Sequence, residues 1–300
     1  MKANDGNAIY YHLRDRLQSI AYNMLGTVAD AEDVVQDVWL RWHGAEQAQV
    51  HNAEAWLVAA TTRTAIDRLR ALKARREHYV GMWLPEPVLS ESPPTPEQVH
   101  ERSSDVSVAL LSLLERLSPE ARAAFLLRDV FEVGYPEIAD VLGKTEATVR
   151  QIVHRAKEHL REGPARYAVS PESHIRIVQR FAQAMARGEF KIMKAMLAET
   201  AELVGDGGGK VLSFPKPLLG GQRIAQLFYA SNLRYKNELR IDLAQINGER
   251  AILRYIGDRL ESVQTLETDG ERVLRVDVQR NPEKLSRVAT ALGTGLFVSL

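Results

Sequence analysis

Three hundred residues carrying 39 basic and 39 acidic side chains, 45% apolar and without cysteine, exclude a disulfide-stapled scaffold, a thiolate metal site and a generic polycation. The length fits two or three domains, no apolar run approaches the roughly 20 residues that span a bilayer, and residues 1–6 lack the basic-then-apolar layout of a secretion signal. A cytoplasmic protein with no metal, no cofactor and no membrane partner is expected. The zero net charge hides a split: 20 Lys+Arg against 24 Asp+Glu in residues 1–166, and 19 against 15 in 167–300. If the acidic N-terminal half touches nucleic acid, it must do so through local basic stripes and offer its acidic faces to something else.

Residues 7–76 are predicted helical. Ile9, Leu13, Leu17, Ile20, Ala21 and Met24 recur at helical spacing, Gly26-Thr27 interrupts, and Ala31, Val34, Val35, Val38 and Trp42 resume the stripe. Asn52 is suited to cap a third helix from Ala53. Residues 79–103 differ in kind, since Pro85, Pro87, Pro93, Pro94 and Pro96 among Ser and Glu predict an extended tether. Helices return at Val106 with a Leu110, Leu113, Leu114, Leu117 stripe. Ser118-Pro119-Glu120 opens the next one, Pro136 opens a short one that stops at Gly143, and Thr145 caps a longer one. Beyond Gly163-Pro164, helices over 173–187 and 189–199 precede strands at 201–204, 238–246, 251–255, 263–266 and 273–278, with a helix over 222–235 between them. Helices followed by a curved antiparallel sheet predict an α+β domain.

Three surfaces carry chemistry. Residues 135–161 have the parts of a helix-turn-helix, and the second helix leaves Thr148, Arg150, Gln151, His154, Arg155, Lys157 and Arg161 outside its aliphatic stripe. Arg and Gln suit base edges, and Lys and further Arg suit phosphates. A second basic stripe, Arg63, Arg68, Arg70, Lys73, Arg75 and Arg76, follows Trp56 and the hydroxyls of Thr61, Thr62 and Thr64. It has the makings of a groove for a separated DNA strand, and a solvated basic face accounts for it nearly as well. The third is acidic: Asp30, Glu32, Asp33 and Asp37 share a helix with Trp39 and Trp42, which reads as a protein-docking face with outward-facing Trp.

The stretches D-A-E-D-V-V-Q-D-V-W-L-R-W, A-W-L followed by D-R-L-R, L-S-P-E-A-R-A-A-F-L-L-R-D-V-F and Y-P-E-I-A-D-V-L-G-K-T-E-A-T-V-R-Q-I-V-H-R-A resemble the two conserved domains of extracytoplasmic-function (ECF) sigma factors, over about half the chain. The resemblance implies that residues 1–78 form sigma region 2, docking on core RNA polymerase through Asp30, Glu32, Asp33, Asp37, Trp39 and Arg41. It implies that the −10 element of promoter DNA is opened and read through Asn52, Trp56, Thr61, Arg63, Thr64, Asp67 and Arg70. Thr64 stands where many members have Asn. Residues 104–165 would form region 4, reading the −35 element through Thr148, Arg150, Gln151, His154, Arg155 and Lys157. The expected fold is an all-α two-domain sigma factor followed by an α+β SnoaL-like cone.

Residues 170–288 resemble that cone, with 289–300 as a tail. Three matches support an extended sigma group: Trp83-Leu84-Pro85-Glu86-Pro87, Asp206-Gly207-Gly208-Gly209-Lys210 and Asn281-Pro282-Glu283-Lys284-Leu285. In that group the extension is thought to regulate the sigma domains in cis. Taken singly, the second and third segments read as a flexible turn and a C-terminal turn. Catalysis is not expected: Asp206, Asp242, Asp258 and Asp277, with Tyr229, Tyr235, Tyr255 and His174, show no spacing that singles out an acid–base pair. A small-molecule ligand of the cone and simple domain docking both stay open. A stand-alone helix-turn-helix regulator with a ligand-sensing C-terminal domain is the alternative, and it leaves the acidic helix unexplained.

Overall fold

The computed structural model describes residues 3–76, 79–90, 106–161 and 169–298 and divides the chain into two units. Among described residues, the first takes in 3–76, 106 and 113–161, and the second 79–90, 107–112 and 169–298. The part of the predicted tether from 91 to 103, with Pro93, Pro94 and Pro96, lies outside the described residues.

In the first unit, α1 (Ala3–Leu25), α2 (Val28–Gly44) and α3 (Ala53–Arg76) pack on one another. The stripe from Leu13 to Met24 is buried as its spacing demands. Ile9, expected on that stripe, is exposed instead, and Tyr10 is buried, its hydroxyl donating to Val35 O at 3.2 Å. Asn52 caps α3 by accepting the Ala55 N–H at 3.0 Å, worth roughly 1 kcal/mol. Trp42 packs inward against Trp56, the rings tilted with centroids 5.2 Å apart, and burying a ring of that size contributes roughly 2–3 kcal/mol.

Helix α4 (Val108–Leu114) begins among second-unit residues and ends among those of the first. Then come α5 (Pro119–Asp129), α6 (Tyr135–Leu142) and α7 (Glu146–Arg161). Ser118 Oγ accepts the Ala121 N–H at 3.3 Å with Pro119 in the first turn, as the Ser-Pro-Glu signature predicts. Gly143 closes α6 at φ 63°, a left-handed turn that side-chain-bearing residues rarely adopt, and so sends the chain into α7. Thr145 caps α7 through the Thr148 N–H at 3.3 Å. Within this unit α5 packs on α1 and α3, and α6 packs on α3.

In the second unit, α8 (Pro171–Arg187) and α9 (Phe190–Met196) lead into a six-stranded sheet. It comprises β1 (Leu197–Asp206), β2 (Leu218–Leu219), β3 (Leu239–Ile246), β4 (Glu249–Ile256), β5 (Arg259–Thr268) and β6 (Val273–Gln279). Helix α10 (Gly221–Arg234) lies between β2 and β3, and α11 (Pro282–Ala291) follows β6. The order is β2-β1-β6-β5-β4-β3. The sheet is mixed, not wholly antiparallel as expected, because the first long strand returns to lie parallel beside the last. The second predicted helix also ends earlier, at Met196, and residues 197–199 already belong to β1.

The two faces of the sheet bury different partners. Ile252, Leu266, Val276 and Val278 join Phe181, Met185, Ile224 and Phe228 of α8 and α10 in one core. Leu253, Tyr255 and Val263 join Leu285 and Val288 of α11, with Val108, in another. Residues 88–90 pair with the end of β3, Ser90 N donating to Gln245 O at 2.9 Å and Asn247 N to Val88 O at 2.9 Å. That pairing covers part of an otherwise open sheet edge. Among the described residues, no helix is long and apolar enough to cross a membrane.

Candidate functional sites

The acidic helix α2 presents Glu32, Asp33, Asp37 and Arg41 outward, with Asp30 and Trp39 partly buried. The expectation of outward-facing Trp holds only for Trp39, which stacks on His43 at 4.6 Å; Trp42 points into the bundle. Asp30 and Asp33 are gathered by one guanidinium: Arg68 of α3 donates to Asp30 at 2.9 Å and to Asp33 at 2.9 Å. Arg41 donates to Thr64 Oγ1 at 3.1 Å. The acidic face and the basic stripe therefore meet along α2 and α3.

Along α3, Asn52, Arg63, Asp67 and Arg70 are exposed, and Trp56 and Thr64 half-buried. Thr61 is fully buried with its hydroxyl unpartnered, as is Thr62. Their positions on the helix turn them into the bundle, away from any strand lying on the outside. Arg63, Arg70 and Lys73 of the stripe are engaged by residues between Glu115 and Val141. Arg63 donates to Val141 O at 2.9 Å and Asp140 O at 2.7 Å, at the carbonyl-rich C-terminus of α6. Arg70 pairs with Asp67 and Glu120, both at 2.9 Å, and Lys73 donates to Glu115 O at 3.0 Å and Leu117 O at 2.6 Å. Beneath lies a buried cluster in which Glu115 bridges Arg76 and Arg122. Arg122, wholly enclosed, also donates twice to Asn23 O at 3.1 and 2.9 Å. Burial pushes the Glu115 carboxyl up, but Arg122 and Arg76 together hold it below the usual carboxylate range.

On α7, Thr148, Arg150, Gln151, His154 and Arg155 stand in solvent and Lys157 is partly covered. Arg150 pairs with Glu146 at 2.9 Å and lies over the Tyr135 ring at 4.4 Å, while Lys157 pairs with Asp129 at 2.6 Å. The helix thus shows one continuous polar face, on which the Arg150 guanidinium is held by Glu146 and Tyr135. The Arg161 side chain lies outside the described residues.

The three scattered segments of the second unit converge. Asp206, fully buried, accepts from Tyr79 Oη at 2.7 Å, Gly208 N at 2.9 Å, Leu84 N at 2.9 Å, Gln279 Nε2 at 3.3 Å and Lys284 Nζ at 2.7 Å. Lys284 also donates to Leu84 O at 2.6 Å and sits over the Trp83 ring at 4.3 Å, a cation–π contact. Gln279 reaches Pro85 O at 3.1 Å, Glu86 faces Arg287 at 3.6 Å, and Pro87 lines the same small void as Leu84 and Gln279.

Asn281 holds Tyr79 Oη at 3.0 Å while capping α11 through the Glu283 N–H at 3.0 Å, with Pro282 in the first turn and Leu285 buried beneath. Lys210 pairs with Glu283 at the rim. The glycines are dictated by this packing: Gly208 (φ 61°) and Gly209 (φ 70°) are left-handed, and a Cβ on Gly208 would strike the Asn281 amide. So 206–210 is a built turn and 281–285 opens a helix; neither is a loose end. Tyr79 and Gln279 complete the hub without having been legible in the sequence, since a lone Tyr or Gln carries no spacing signal.

The acids considered for proton chemistry are dispersed. Asp206 belongs to this hub, Asp242 pairs with Arg240 on the edge strand, and Asp258 sits exposed in the β4–β5 turn. Asp277 is buried against Arg275 at 2.8 Å. Tyr229 is partly exposed on α10, Tyr255 lies under Arg240 at 3.8 Å, and His174 reaches Leu266 O at 3.1 Å. None of these acids shares the cavity that holds Tyr235.

An acidic helix, a basic helix beside it and a helix-turn-helix thus lie in one chain. Residues 9–75 match the family description "Sigma-70 region 2" and residues 107–160 match "Sigma-70, region 4". The ECF RNA polymerase sigma factor SigJ of Mycobacterium tuberculosis is 37% identical over 241 residues, 79% of this chain and 77% of that one. The probable ECF sigma factor SigI of the same species is 26% identical over 285 residues, 94% and 95% of the two chains. The crystal structure of M. tuberculosis SigJ superposes with a TM-score of 0.74 at 29% identity, covering 93% of this chain and 98% of that one. The chain belongs to the ECF RNA polymerase sigma factors, and its function is transcription initiation, not catalysis.

Proposed function

We propose that the second unit, read as a SnoaL-like cone, regulates the sigma domains in cis by holding the segment that joins them. The observation that carries this is the Asp206–Lys284 hub: it fixes residues 79–90, which leave region 2 after Arg76, onto the C-terminal domain. Residues 107–112, the first of the region 4 match, belong to the same unit. A joining segment pinned at both ends has far less reach than a free tether of its length. The engagement of Arg63, Arg70 and Lys73 by the α4–α6 block supports a resting arrangement in which the strand-binding stripe is occupied. In this reading Asp33, Asp37 and Trp39 dock core polymerase. Arg63 and Arg70 take up the −10 strand once released, and Arg150, Gln151, His154 and Arg155 read the −35 element.

Run-off transcription with purified core polymerase tests it, on promoters selected from a random library, comparing the full chain with Asp206→Asn and Gly208→Val. Start-site-specific transcripts from the full chain whose yield changes several-fold in both variants are expected. Unchanged yield in both variants, with the hub shown loosened by hydrogen exchange at Leu84, would overturn control through the hub.

A further inference from the structure

We propose that the C-terminal domain carries a binding site for a small amphipathic organic anion, walled by α10 and the inner face of the sheet. It deepens the cis-control reading by naming a ligand class, yet it stands on different residues from the Asp206 hub. A cavity of about 490 Å³ opens there, in the range that accommodates a small organic molecule. Leu203, Phe214, Leu227, Phe228 and Val278 form its apolar wall.

Its polar end is unusual in charge. Glu261, 6% exposed, is the extra residue of a β-bulge opposite Arg254 and Tyr255, and the bulge turns its carboxylate into the cavity. Two guanidiniums share it: Arg254 at 2.5 Å and Arg280 at 2.7 Å. One carboxylate against two buried or half-buried cations leaves a net positive charge within the cavity. Arg234 adds another at the rim, and Tyr235 lies beneath both Arg234 at 5.2 Å and Arg254 at 5.7 Å. An excess of positive side chains at one end of an apolar cavity favours an anionic head group there.

A second observation points to a ligand independently. Gln264 is 1% exposed and lines the cavity; its amide nitrogen donates to Ser262 Oγ at 3.1 Å, but its carbonyl oxygen has no hydrogen-bond partner. Buried acceptors are nearly always satisfied, so this one is placed for a donor carried by the ligand. The same groups argue for binding without turnover. Burial would raise the Glu261 pKa, but Arg254 and Arg280 hold it below the ordinary carboxylate range, so it is a poor proton acceptor. The ligand class is therefore a carboxylate with an apolar body and a hydroxyl that reaches Gln264.

Calorimetric titration of the full chain, without polymerase or DNA, tests this with octanoate, octanol and octylammonium, followed by hydroxylated octanoates. Octanoate should bind at least about tenfold more tightly than octanol, and octylammonium should not bind. Arg234→Ala, an exposed change that leaves the fold intact, should weaken octanoate about tenfold and leave octanol unchanged. In Gln264→Leu the orphaned acceptor is gone, so octanoate should still bind while any advantage of its hydroxylated forms disappears. Equal binding of octanoate and octanol, insensitive to Arg234→Ala, would reduce the site to an apolar void and overturn the proposal, as would no heat from any probe. Either negative leaves control through the Asp206 hub to be judged by transcription alone.

Discussion

Lys284 Nζ lies 2.7 Å from Asp206 Oδ2 with both side chains buried, joining the helix after the last strand to the end of the first. Removing one partner of such a pair strands the other charge in a low-dielectric site, which costs about 3–5 kcal/mol. Lys284→Met should lower the stability of the full chain by that amount in urea denaturation. The double variant Lys284→Met with Asp206→Leu should recover only part of it, because Tyr79 Oη, Leu84 N, Gly208 N and Gln279 Nε2 then lose the carboxylate, Gln279 keeping its other acceptors, Leu84 O and Pro85 O. Full recovery would mean that the four donors contribute nothing beyond the ion pair.

The first unit has its own buried ionic cluster, and its pH dependence has a definite sign. Glu115 is held below the usual carboxylate range, so the stability it contributes is present above its unfolded pKa near 4.3 and is lost as pH falls through the folded value. Glu115→Gln should therefore be less stable than the parent at neutral pH by about 2–4 kcal/mol, with the gap closing in acid. Denaturant midpoints of both chains measured from neutral pH down to about 3 check this. A gap that stays constant would show that the carboxylate charge is not what Arg122 and Arg76 hold.

Asp277 behaves in the opposite sense. Its pKa is raised to about 6, chiefly by burial, with Arg275 only partly offsetting that effect. A native carboxyl that binds its proton more tightly than the unfolded one loses stability as pH rises from about 4 to about 6. Asp277→Asn, which stays neutral, should be more stable than the parent at pH 7 by about 1–3 kcal/mol and should lose that advantage near pH 4. Thermal melts across this window decide it, and a variant less stable at every pH would show that the Arg275 pairing outweighs the burial cost.

On α7, Arg150 and Lys157 are predicted to fail differently. Replacing Arg150 with Ala should cost about 1–3 kcal/mol of promoter affinity and relax preference at one position. Lys157→Ala should weaken binding to all sequences alike and reduce the salt slope by about one. Fluorescence anisotropy of holoenzyme on matched and mismatched −35 duplexes at several salt concentrations separates the two. Equal, sequence-independent losses would remove Arg150 from base reading.

Much of the helical unit was legible because its signals are local. Asn52, Ser118 and Thr145 cap helices where their side chains can reach an N–H three residues on, and Gly143 stops one where only a left-handed residue fits. The same reasoning misassigned Ile9, because periodicity places a residue on a stripe but does not say which edge of that stripe faces a neighbour; for Trp42 the stripe held and the outward docking-face reading did not. It also left Thr61 among surface groups, although the structure closes it inside the bundle.

The sequence by itself determined the helix-turn-helix and the acidic and basic helices, which rest on short-range spacing, and it carried the motifs that resemble the ECF sigma factors. Only the tertiary structure decided that residues 83–87, 206–210 and 281–285 form one hub. They are separated by as many as 200 positions, and a turn or a lone Lys has no preference of its own until a buried carboxylate supplies it. The parallel pairing of β1 with β6 and the positively charged cavity around Glu261 are likewise products of folding. Both depend on which strands become neighbours, and that choice is made by the burial of two separate apolar faces and not by any single segment.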